Sequence, residues 1–211
     1  MLLTAIANIL ADRPDEAGKI LNSEGMREDP EGILWRAYLD ALQQRWQQSL
    51  IGFRRSEAPL AAYPEDLQSM IGPAYAEAAI VGRDFGLAQR VLDRLEGLEA
   101  DPLQRQRAIY LEARVAEGLG RVDEALGTYA KLAETAERPV QARARLARTA
   151  LALKDRSITR QDAIAELEGV AVTWRGDEVE AQTLALLGRL YAEEERWRDA
   201  FSVARRAPQL S

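Results

Sequence analysis

Small residues recur twelve positions apart along this chain, at Ala5/Ala17, Ala37/Ser49, Ala76/Ala88, Ala113/Ala125 and Gly188/Ala200. The second members, with Ala163 added, follow one another at intervals of 32, 39, 37, 38 and 37 residues. Helical periodicity of the apolar residues runs almost from end to end, and nothing alternates as a strand does. A period of this size is long enough for two helices and a turn, and so indicates a stack of helical hairpins. A missing side chain where two antiparallel helices cross lets their backbones approach, and the large neighbours fill the surrounding space. In the stretch 184–206 that reading sets Gly188 against Ala200, between Leu187, Tyr191, Trp197 and Phe201.

Breakers cut the periodic runs into about twelve helices. They fall at Pro14, Asp29-Pro30, Tyr63-Pro64, Gly82, Asp101-Pro102, Gly120, Arg138-Pro139, Ser157 and Gly176. Asp29-Pro30 and Asp101-Pro102 have Asp as N-cap and Pro at the first helical position, and Asp177 with Glu180 has capping-box spacing. Pro73 lies inside a helical run, where it is expected to kink or restart the helix. The predicted architecture is all-α: one domain over 1–211, built from hairpins at about 2–22, 30–57, 66–97, 103–136, 139–174 and 177–207.

Composition excludes several kinds of chemistry. The 211 residues contain no cysteine and no histidine. Cys–His and Ser–His catalysis, zinc held by Cys or His, and haem held by either are therefore beyond this chain. A net charge of −6 argues against a general phosphate-backbone binder, so no nucleic acid partner is expected. Only Lys19, Lys131 and Lys154 among the 28 basic residues are lysine. That arginine bias, with abundant alanine, points to a GC-rich bacterial genome and warns against reading every arginine as functional. The apolar opening "MLLTAIANIL" lacks a basic flank and is too short to span a bilayer. No membrane insertion is expected, and a cytoplasmic location fits the absence of cysteine.

No phosphate loop is present, since Lys19 lacks the upstream glycine and the following hydroxyl. The acids of Glu193–Glu195, of Asp177, Glu178 and Glu180, and of Asp123, Glu124 and Asp199 sit at helix ends or on solvated faces. No catalytic residue, metal site or cofactor is expected from them. Trp35, Trp46, Trp174 and Trp197 are expected to pack inside and not to stack on a ligand, with Trp174, at a helix end, partly exposed.

The pattern resembles the tetratricopeptide repeat. "LALLGRLYAEEERWRDA" supplies Leu187, Gly188, Tyr191, Trp197 and Ala200, and "IYLEARVAEGLGRVDEALGTYAKLAE" supplies Ala113, Gly120, Ala125 and Tyr129. "GRDFGLAQRVL" adds Phe85 and Ala88, and "RWQQSLIGF" adds Trp46, Ser49 and Phe53. The likeness is strongest over 70–136 and 178–207. Most periods exceed the family's ~34 residues, and "LALKDRSITR" adds about four residues between Ala147 and Ala163.

The resemblance implies a right-handed α–α superhelix that binds a protein segment in its concave groove. Mapped from the small residue of each first helix, the groove positions are Leu34, Tyr38, Met70, Glu77, Ile80, Arg107, Tyr110, Arg114, Gln141, Arg148, Gln182 and Arg189. Such a groove is apolar at first and arginine-rich later, suited to an acidic partner segment. The competing reading pairs these arginines with glutamates of adjacent helices. A regulatory, ligand-sensing role is the alternative from another class. The apolar faces of the first and last helices, the latter ending at Ala207 and Pro208, suggest a fragment of a longer array or a homodimer through terminal helices.

Overall fold

A computed structural model describes residues 1–175 and 178–206; Gly176, Asp177, Ala207 and Pro208, and with them the Asp177 cap and the C-terminal stop, lie outside the described residues. Among the described residues every regular element is an α-helix. The helices gather into two compact units, Met1–Leu119 and Gly120–Ser211.

The first unit contains α1 (Leu2–Leu10), α2 (Pro14–Leu21), α3 (Glu24–Arg27), α4 (Pro30–Leu42), α5 (Trp46–Arg55), α6 (Glu57–Ala62), α7 (Glu65–Val81), α8 (Phe85–Leu95) and α9 (Pro102–Gly118). Short α3 and α6 are additions to the predicted set, folded from the connections between hairpins. The pairs α1/α2, α4/α5 and α7/α8 pack as antiparallel hairpins, and α1, α4, α7 and α9 each touch the next in line. The core is continuous, with Trp35 and Tyr75 1% exposed and the Phe53 ring stacked on Tyr75 at 5.0 Å.

The starts of these helices follow from their caps. Asp29 accepts a hydrogen bond from the Gly32 amide at 2.7 Å, ahead of Pro30 at the first helical position. Asp101 and Gln104 form a reciprocal capping box at the start of α9. Helix α7 continues through Pro73 without restarting. Buried packing of Ile71, Tyr75 and Ala76 holds the helix across the one hydrogen bond that proline removes. Arg36 clasps α2 and α3 by donating to the carbonyl oxygens of Leu21 and Met26. The loss of water there lowers its pKa.

The second unit contains α10 (Val122–Thr135), α11 (Arg138–Lys154), α12 (Arg160–Thr173), α13 (Glu178–Glu193) and α14 (Trp197–Arg206). Each helix packs on the next, and Leu167, Leu184, Leu187 and Leu190 form the centre of a second core. Thr159 and Asp162 make a capping box at the start of α12.

One turn recurs in both units. Asp12, Gln44, Arg83, Arg156 and Glu195 all have φ between 53° and 64°, and Gly120 has φ 79°. At each of the five non-glycine residues its amide bonds the carbonyl three residues back, and the next amide bonds the carbonyl five back. This is the Schellman arrangement that ends a helix and satisfies its last carbonyls. In the first unit it places buried small residues seven before and five after the left-handed residue: Ala5 and Ala17, Ala37 and Ser49, Ala76 and Ala88.

The turn also corrects a register. Seven residues before Arg156 lies Thr149, fully buried, and not the half-buried Ala147 taken from the sequence. Helix α12 starts four residues after Arg156, against two in the other turns, so the insertion is two residues and not four.

The crossing points differ from pair to pair. A Cβ on Gly52 would lie 2.7 Å from the Cβ of Ala37, so the backbones of α4 and α5 touch through two small residues. Gly188 behaves otherwise. A Cβ there would meet only Val203, at 3.4 Å, with no atom of Ala200 within 4 Å. Val203, one turn beyond Ala200, is the residue that α14 buries against α13.

Candidate functional site

The mapped groove positions separate by face. Leu34 and Ile80 are buried in the first unit's core, at 0% and 5% exposure, and offer no surface to a partner. Leu34 stands three residues before Ala37, and Ile80 four after Ala76, spacings that share the packing face of a helix. Tyr38, one residue past Ala37, turns away from that face and is half-buried, edge-on to Trp35 at 5.8 Å.

Tyr38, Met70 and Tyr110, from α4, α7 and α9, are half-buried against one core. Burial raises the pKa of the Tyr38 hydroxyl, and the positive charge of Arg107 opposes that shift. The Arg107 guanidinium is therefore close to a phenol on a helix two places away. It is exposed and, among the described residues, forms no ion pair. Further along α9, Arg114 meets Glu77 of α7 at 3.4 Å, both partly buried.

In the second unit the two mapped arginines have partners. Arg148 meets Glu166 of α12 at 2.9 Å, so it faces its neighbouring helix and does not line a groove. The two-residue register shift accounts for this: Arg148 adjoins Thr149, whose hydroxyl donates to the same Glu166 at 2.6 Å. Arg189 lies 3.8 Å from Glu193 on its own helix, and Gln182 donates to Glu178. Gln141 lies with Arg138, Arg145 and Trp174 around a small cleft.

The tryptophans divide as well. Trp35 and half-buried Trp46 join the first core, and Trp174 is partly buried against the second. Trp197 is 57% exposed, contrary to the expectation of a core position. As the first residue of α14 it projects beyond the contact that Val203 makes, and Phe201, one turn on, is 70% exposed.

Among the described residues no group of acidic side chains is arranged to hold a metal ion, and no helix is long and apolar enough to cross a membrane. No family model, curated protein or solved structure matches this chain. Function must therefore be argued from surfaces alone.

The mapped residues that keep exposed area in the first unit are those on α4, α7 and α9. They comprise two phenols, a thioether and one cation that forms no ion pair among the described residues, over an apolar core. Such a surface offers flat apolar contact, two hydroxyls and a guanidinium, which suits a polypeptide segment better than a reacting small molecule. Sequence reasoning placed four of its residues and could not separate them from Leu34 and Ile80, because a one-residue step in a helix exchanges core for surface.

Proposed function

We propose that this chain is a non-catalytic, tetratricopeptide-like scaffold that binds a protein segment on the face formed by Tyr38, Met70, Arg107 and Tyr110. The observation that carries this reading is Arg107, which acts on the half-buried Tyr38 and forms no ion pair among the described residues, while the other mapped arginines are engaged by glutamates. The recurring turn and the succession α1, α4, α7, α9 in the first unit support the superhelical, repeat-built reading. The segment bound is mainly apolar, with one carboxylate placed to meet Arg107. An array of consecutive acids fits poorly, because Glu77 lies on the same helices and already holds Arg114.

Affinity capture with the full chain tests this reading, comparing the natural protein with Tyr38→Ala and Arg107→Glu variants of unchanged melting temperature. A protein retained by the natural chain and lost by both variants supports the face. Equal retention by all three rules it out.

A second reading, self-association, is favoured by exposed Leu3 and Leu10 on α1, at 80% and 64%, and by Trp197 and Phe201 on α14. These are apolar faces of the kind that subunit contacts cover. Light scattering across a concentration series reports it directly. A constant monomer mass would remove it.

A further inference from the structure

The turn between α11 and α12 is the one that departs from the rest. Its two additional residues carry Ile158 against the second core and set Arg156 and Arg160 on either side of it. With Leu153 of α11 and Arg189, Leu190 and Glu193 of α13, they line an open cleft of about 350 Å³. Its floor is apolar: Leu190 is buried, and Leu153 and Ile158 pack on the same core. Its rim holds three guanidinium groups.

Two carboxylates already reach that rim. Arg160 meets Glu193 at 3.3 Å and Glu194 at 2.9 Å, and Arg189 meets Glu193 at 3.8 Å. Arg156 forms no ion pair among the described residues and is exposed. Arg160 and Arg189 thus share two carboxylates, the longest of these contacts belongs to Arg189, and Arg156 takes part in neither. The rim has capacity for one more anionic group.

We infer that this cleft binds a carboxylate side chain of a partner polypeptide, with an adjacent apolar residue of that partner seated on Leu153, Ile158 and Leu190. Guanidinium groups match the planar carboxylate with paired hydrogen bonds, and the apolar floor selects an acid flanked by an apolar side chain. Glu193 is the internal competitor: an incoming carboxylate takes its place on Arg189 and Arg160. Carboxylates at the rim and a net charge of −6 oppose a nucleic acid backbone. The site is separate from the face on α4, α7 and α9 and does not depend on it.

The test uses the full chain and a rhodamine-labelled, N-acetylated, amidated hexapeptide of alternating Glu and Leu, followed by fluorescence anisotropy. Arg156→Glu and Arg189→Glu each weaken binding about fivefold or more, and the effect shrinks as salt is raised. Glu193→Gln strengthens binding about threefold, because the internal competitor is gone. The same peptide with Gln for Glu does not bind. Lys19→Glu, an exposed charge reversal on α2 of the first unit, leaves the affinity unchanged, which separates this cleft from an effect of overall charge. No binding at about 1 mM peptide, or an Arg156→Glu variant that binds like the natural chain, overturns the inference, as does weakening by Glu193→Gln.

Discussion

Two hairpins built on the same turn solve one packing problem differently. In α4–α5 the Ser49 hydroxyl occupies a place held elsewhere by alanine, is fully buried, and has no hydrogen-bond partner among the described residues. In α11–α12 the Thr149 hydroxyl also stands where other hairpins have Ala or Gly, but it donates to Glu166, which holds Arg148 as well. The first crossing is tight, with Gly52 against Ala37. The second is polar, with its turn lengthened by two residues. A buried hydroxyl is tolerated in either hairpin, yet only the partnered one contributes to stability.

The sharpest way to break this comparison is to fill the tight crossing. Gly52→Leu forces α4 and α5 apart and costs about 3 kcal/mol by overpacking, read as a fall in the denaturation midpoint. A loss under about 1 kcal/mol means the two backbones are not held as described. The hydroxyls come next, with opposite signs. Thr149→Val takes from Glu166 one of its two donors and costs about 1 kcal/mol, whereas Ser49→Ala removes an unsatisfied group and gains about 1 kcal/mol. Equal signs in urea titrations would collapse the distinction.

Smaller effects sharpen it. Gln44→Gly relieves a left-handed residue and stabilises by about 0.5–1 kcal/mol, while Gly120→Ala costs a similar amount. The two changes are compared by thermal unfolding. A further effect is alkaline. Burial, with the hydrogen bond to Glu168, pushes the Tyr191 hydroxyl from 10.0 up to about 12. A folded pKa above the unfolded one means that the protonated form is favoured by folding. Its contribution is complete below pH 10 and is lost as pH rises toward 12. Tyr191→Phe flattens that part of the stability profile, and an unchanged alkaline slope refutes the assignment.

Helix positions were legible because caps and breakers act locally. Asp29, Asp101 and Pro14 mark their helix starts regardless of what packs nearby, since each satisfies or omits a backbone amide in its own first turn. Partners across helices were less legible. Arg148 reads as a groove arginine until the turn at Arg156 shows the register, and Trp197 reads as core until Val203 is seen to take the contact. Arg156 and Arg160 were passed over because the resemblance directs attention to first helices, whereas their cleft arises from an insertion that no repeat position describes.

The order of amino acids by itself determined that this molecule is helical, where its chain turns, and what chemistry it lacks for want of histidine and cysteine. Those properties depend on backbone preferences and on side-chain inventory, which need no distant neighbour. Tertiary structure alone decided which arginines remain without a carboxylate, which hydroxyls are satisfied, and which aromatic rings face water. Each of these depends on a distance between helices far apart in the chain. A rotation of one residue along any of them would reassign the partner.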